Sequence, residues 1–295
     1  HKSMYVDMAD SDYEADMLQF YETYLASTEG GSELDMNQFA LTPQIAPGFY
    51  SFLERLHKPE NLPLAVKGQI TGPFTMGTGI KDKQGRAIFH DEVMRDMLVK
   101  LLALKARWQV DQLACKDAAV MLSIDEPALA GFGSSEFISI SRDDVAAVLS
   151  ELISAIQDAG ALSGVHVCAN TDWSMLMTAG VDLISFDAYN YFDRVALYQT
   201  ELQHFVNAGK WLAWGIVPSL DEIQIDAEST PSLVQKFKQK IAHLNTFGID
   251  RATVLGQSLI TPSCGLGTLS IEHAHKVMQM TKEVSDIIRS EESYA

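Results

Sequence analysis

The sequence is short of cysteine, of positive charge and of long apolar runs, and each shortage removes a class of protein. Three cysteines among 295 residues, an odd number, do not make a disulfide framework. The thiols therefore read as reduced, in a cytoplasmic setting, and as metal-binding, catalytic or packing groups. Lys and Arg number 22 against 39 Asp and Glu, a formal net charge of −17, which argues against nucleic acid and anionic membranes as partners because phosphate binding needs clustered cations. A small molecule or a basic protein remains. No apolar run reaches the roughly 18 to 20 uncharged residues of a membrane span, and no signal peptide is visible. What is present, 47% hydrophobic and 21% charged residues, suits one large domain with a sizeable core.

Apolar runs of strand character alternate with segments of helical period. Strands are predicted at 64–70, 119–125, 164–168, 183–187, 211–217 and 252–259, and helices at 11–27, 91–114, 142–159, 198–208, 231–247 and 271–289, with a loop at 41–47. Ser141 opens the helix at 142, with Asp143 and Asp144 in its first turn, and Gly160 ends it. Strands alternating with helices imply a parallel sheet with right-handed crossovers. No Gly-rich dinucleotide fingerprint follows any strand, which favours a (β/α)8 TIM barrel over an open Rossmann sheet. The expectation is thus a single barrel domain over 1–295, its first 63 residues mostly helical or irregular and 64–290 carrying the strands and the site. Two strands are then unaccounted for. They are expected upstream of His1 or before Leu64.

In such a barrel the chemistry sits at the carboxyl ends of the strands. In Val165-His166-Val167-Cys168 the two-residue period puts the valines on one face and His166 with Cys168 on the other, toward the mouth. Cys264 ends the last predicted strand and Asp187 the strand after Cys168. A His, two Cys and a carboxylate form a zinc-type ligand set, and their scatter over about a hundred residues favours a catalytic or substrate-binding metal over a structural knuckle. A buried His with two buried cysteines reads equally well at this point, since free Cys is often buried. Asp125 and Glu126, adjacent acids at a strand end, are catalytic candidates. Alternation aims Asp125 into the mouth with Ser123 and Met121, and Glu126 toward backbone or loop groups; a capping or salt-bridging pair is the alternative. Trp173, Tyr189 and Tyr191 follow site strands, as pocket wall or as packing. Trp211 and Trp214 read as core, Cys115 as packing, His273 and His275 as solvated surface, and Gly265 and Gly267 as letting the chain turn beside Cys264.

Four strings, Ile70-Thr71-Gly72-Pro73-Phe74-Thr75, Ser123-Ile124-Asp125-Glu126-Pro127-Ala128-Leu129, His166-Val167-Cys168 and Ile260-Thr261-Pro262-Ser263-Cys264-Gly265-Leu266-Gly267-Thr268, resemble in order the motifs of the catalytic domain of cobalamin-independent methionine synthase. The wider group includes zinc-dependent thiol methyltransferases and uroporphyrinogen decarboxylase. The resemblance spans about three quarters of the chain. It implies a TIM barrel and a zinc ion (Zn2+) that binds the acceptor thiol, held by His166, Cys168 and Cys264. Asp187, the implied fourth ligand, stands where the family has Glu. The Asp of the Asp-Glu-Pro string, which binds the amino group of homocysteine in the family, maps to Asp125.

Departures from the family bear on the methyl donor. Met76-Gly77-Thr78-Gly79-Ile80 follows the first string where the folate-using enzymes have a Trp that stacks on the pterin. The folate-binding N-terminal half and the Gly-Ser-x-Pro segment are missing too, the latter pointing to residues upstream of His1. A methylated corrinoid, free or on a protein, is therefore favoured over methyltetrahydrofolate. The expected activity is methyl transfer to a thiol, most directly homocysteine to give methionine. A coenzyme M methyltransferase, a decarboxylase of the uroporphyrinogen type and a non-catalytic metal- or corrinoid-binding protein are the alternatives.

Overall fold

The structure, a computed structural model, describes residues 5–28, 36–58, 63–115 and 117–292. Its strands are β1 (Tyr5–Val6), β2 (Ala65–Thr71), β3 (Lys81–Asp82), β4 (Ala119–Asp125), β5 (Leu162–Val167), β6 (Leu183–Phe186), β7 (Trp211–Val217) and β8 (Ser258–Pro262), with helices between them. They do not make the (β/α)8 TIM barrel expected from the sequence. Six strands belong to the larger sheet, parallel at β2–β4 and through β6–β7–β8, while β1 and β3 pair only with each other. The stretch expected to supply further barrel strands folds otherwise. Its described residues form helices Tyr13–Thr28 and Pro47–Leu56 and a 3-10 turn at Met36–Phe39, and contribute only the two-residue β1. Alternation of strands and helices dictates a parallel α/β arrangement but carries no information on whether eight strands close into a ring.

The chain divides into two compact units, His1–Gly164 and Val165–Ala295. In the first, β2 and β4 pair in register from Ala65↔Ala119 to Thr71↔Asp125. The side chain of Gln109, buried on helix Glu92–Leu113, acts as a one-residue neighbour to β2. Its Oε1 accepts from Gln69 N at 3.0 Å and its Nε2 donates to Gln69 O at 3.1 Å. That approach requires Gly68, where a Cβ would come within 2.3 Å of Gln109 Oε1. The helix starts where the sequence signals it, with Asp91 accepting from Met94 N. Helix Arg142–Asp158 is capped in the same way by Ser141 and ends before Gly160, which has a φ of 85°.

Glu126 is fully buried and occupied entirely within this unit. Its Oε1 accepts from Phe74 N at 2.9 Å, and its Oε2 from Thr75 N at 2.7 Å and Thr75 Oγ1 at 2.6 Å. The preceding N-cap residue, Gly72, has no side chain to cap helix Pro73–Gly79, so Glu126 satisfies its first amides instead. Burial pushes the Glu126 carboxyl up to about 7, against the pull of these donors. Phe74 packs edge-on against Phe89, Phe132 and Phe137.

In the second unit β6 pairs with β7 and β7 with β8. Trp214, fully buried, is surrounded by the rings of Phe186, Phe192 and Phe237. Trp211, expected in the core, is 36% exposed at the start of its strand. The apolar run 252–259 is not one strand: Arg251–Gly256 is helical, and β8 begins only at Ser258. Asp250 decides this by accepting from Thr253 N at 2.8 Å, a cap that outweighs the period of a short apolar run. His275 is exposed as read, but His273 is partly buried, 3.3 Å from a Glu222 oxygen and 3.4 Å from an Asp226 oxygen. Among the described residues no helix is long and apolar enough to cross a membrane.

Candidate metal centre

Three side chains of the second unit converge. The ligand atoms of His166, Cys168 and Cys264 lie within 4.8 Å of one another, all three residues half-buried, in an arrangement that could hold a metal ion. Local structure explains how they are aimed. Val165 and Val167 are completely buried, so the strand period turns His166 the other way, and Cys168 follows as the first residue past β5. Cys264 comes two residues after β8.

The backbone around Cys264 is held by Ser219, just past the end of β7. Ser219 Oγ accepts from Cys264 N at 2.8 Å and donates to Cys264 O at 3.0 Å. With that hydroxyl proton committed, the 3.0 Å bond between the two serine oxygens is donated by Ser263. Ser263 Oγ also accepts from Ser219 N at 3.1 Å. Both serines are buried, so the pair is a closed polar knot. Gly215 lets the strands approach here, since a Cβ would sit 2.7 Å from Phe186 O and from Ser263 Cα. Gly265 and Gly267, read as turn-formers, have neither a positive φ nor a close neighbour; Gly265 contributes its amide, which donates to Cys264. Ser219→Ala is expected to remove the partner of the half-buried Cys264 amide and carbonyl, about 0.5–1.5 kcal/mol for each bond. Melting temperature and metal affinity should fall together, and a variant unchanged in both would show that the knot does not hold Cys264.

The electrostatics of the cluster favour one thiolate. Hydrogen bonds from Cys168 and His166 hold the Cys264 thiol below the usual cysteine range, while donation to Cys264 and burial push Cys168 above it.

Asp187 is fully buried next to the cluster but faces Asn190. Its Oδ1 accepts from Asn190 N at 2.9 Å and its Oδ2 from Asn190 Nδ2 at 2.8 Å, which caps helix Ala188–Val195. Burial raises its pKa and the Asn190 bonds oppose the rise. Its carboxylate is not among the converging ligand atoms.

The other predicted site residues are placed as follows. Trp173 is fully buried, edge-on to Phe186. The Tyr189 hydroxyl donates to Glu228 at 2.7 Å, and Lys236 both pairs with Glu228 at 2.6 Å and lies over the Tyr189 ring. Asp125 and Glu126 belong to the first unit, where Asp125 ends β4 and accepts from Ser123 Oγ at 3.1 Å. Ser185, Asn190, Ser219 and Ser263 were not singled out from the sequence. Of these only Asp187-x-x-Asn190 carries a local signal, that of a helix cap; Ser219 and Cys264 are 45 residues apart, and no periodicity connects them. No protein-family profile matches the chain, and no curated protein is similar to it at a significant level.

Proposed function

We propose that the second unit carries a zinc site for methyl transfer to a thiol, with homocysteine as acceptor and a methylcorrinoid as donor. One observation supports it above others: a nitrogen and two sulfurs from distant segments meet within 4.8 Å. One imidazole nitrogen and two thiols suit zinc, and three protein ligands would leave a fourth position for a substrate. His166, Cys168 and Cys264 would hold the ion. When bound, it would keep deprotonated an acceptor thiol whose free pKa of about 8.5 leaves it mostly protonated at neutral pH.

The chain's own groups supply the rest. The Ser219–Ser263 knot holds the backbone of Cys264, and hydrogen bonds from Cys168 and His166 favour the Cys264 thiolate, the form that ligates. Asp187, tied to Asn190, sets the end of helix Ala188–Val195 beside the centre. In the transfer the acceptor sulfur attacks the methyl carbon and the donor's leaving group departs with the bonding pair, so no external oxidant or reductant is consumed. Homocysteine and the corrinoid are chosen on the sequence resemblance and on Met76 replacing the pterin-stacking Trp.

The direct test combines purified protein, zinc, homocysteine or coenzyme M, and methylcobalamin or methyltetrahydrofolate. Methionine should form from homocysteine and methylcobalamin and stop on chelation of zinc. Zinc bound without turnover of any pair would leave a metal-binding protein and refute the transferase.

A further inference from the structure

His166 makes a hydrogen bond that the metal reading does not use. Its Nδ1 lies 2.9 Å from Ser185 Oγ on β6. Ser185 sits between Ile184 and Phe186, both buried, so the strand period turns its hydroxyl to the opposite face. With Nδ1 engaged there, Nε2 is the nitrogen left for the two cysteines. A neutral imidazole has one donor and one acceptor nitrogen, and only the unprotonated nitrogen can ligate. Ligation through Nε2 therefore places the proton on Nδ1, facing the Ser185 oxygen.

We propose that Ser185 is the positioning residue of this centre: its hydroxyl, 2.9 Å from Nδ1, holds the His166 ring with Nε2 toward the cysteines, and its oxygen would accept from Nδ1–H when Nε2 ligates a metal. The inference rests on the metal reading of the centre but not on the identity of the thiol or the methyl donor.

The test compares Ser185→Thr with Ser185→Val, side chains of nearly equal shape that differ in the hydroxyl. Zinc and cobalt(II) affinities are measured against a chromophoric chelator, with no thiol or methyl donor present. The Thr variant should stay within about threefold of the parent and the Val variant bind about 10- to 100-fold more weakly, the usual effect of losing a partner to a ligating His. Nitrogen-15 NMR of His166 should show the proton on Nδ1 in the zinc-loaded protein. Equal affinities for Val and Thr, or a proton on Nε2 in the zinc-loaded parent, would overturn the role of Ser185 while leaving the metal centre standing. A parent that binds neither metal would overturn the centre, and this inference with it.

Discussion

Cys264→Ser is expected to reduce zinc affinity by more than about a hundredfold, beyond what the loss of an outer hydrogen-bond partner costs, and to abolish any zinc-dependent turnover. A serine hydroxyl stays protonated at neutral pH, whereas the thiolate is the ligand and is already favoured at Cys264 by donation from Cys168 and His166. Cys168→Ser should have a comparable effect, because it removes the second of the two sulfurs. Cys115→Ser is the control, since Cys115 is not part of the cluster and zinc content should not change. Metal analysis after dialysis, with chelator competition for affinity, reads all three. Full zinc retention in either of the first two variants would remove the centre from consideration.

Gly72→Ala is expected to destabilise the first unit by on the order of 4 kcal/mol, combining overpacking with broken buried hydrogen bonds. The backbone conformation is not the obstacle, for Gly72 has a φ of −75° and a ψ of 161° that any residue adopts. Space is. A Cβ there would lie 2.2 Å from the carboxyl carbon and Oε1 of Glu126. Glu126 cannot retreat without releasing the amides of Phe74 and Thr75, which start helix Pro73–Gly79. Such a loss is a large share of the roughly 5–15 kcal/mol that keeps a domain folded. Urea denaturation of parent and variant measures it; a midpoint unchanged by the substitution would mean that the carboxylate has room to move and is not fixed by its three donors.

Local chemistry was readable where one segment decides its own conformation. β4 and β7 have the predicted bounds, helix Arg142–Asp158 begins at the predicted cap, Ser141, and helix Glu92–Leu113 lies one residue inside the predicted 91–114 at each end. The 252–259 run shows the limit: an apolar run this short fits a strand or a helix equally, and Asp250 decided for a helix over its first part. For the site, the alternation in Val165-His166-Val167-Cys168 was enough to pair His166 with Cys168. Apart from Asn190, whose partner Asp187 is three residues away, the polar supports were not readable, because each is a single Ser or Glu whose partner comes from another segment.

By itself the sequence determined a parallel α/β chain, the face on which His166 and Cys168 lie, and the presence of a third thiol after the last strand, because these depend on periods and caps within a few residues. Tertiary structure alone decided that six strands rather than eight share the larger sheet and that Cys264 reaches the other two ligands. It also decided that Glu126 spends its oxygens on the Phe74 and Thr75 amides and the Thr75 hydroxyl. Those outcomes depend on which distant donors lie within 3 Å or so of a buried acceptor, and burial makes leaving such a group unpaired too costly for the fold to ignore.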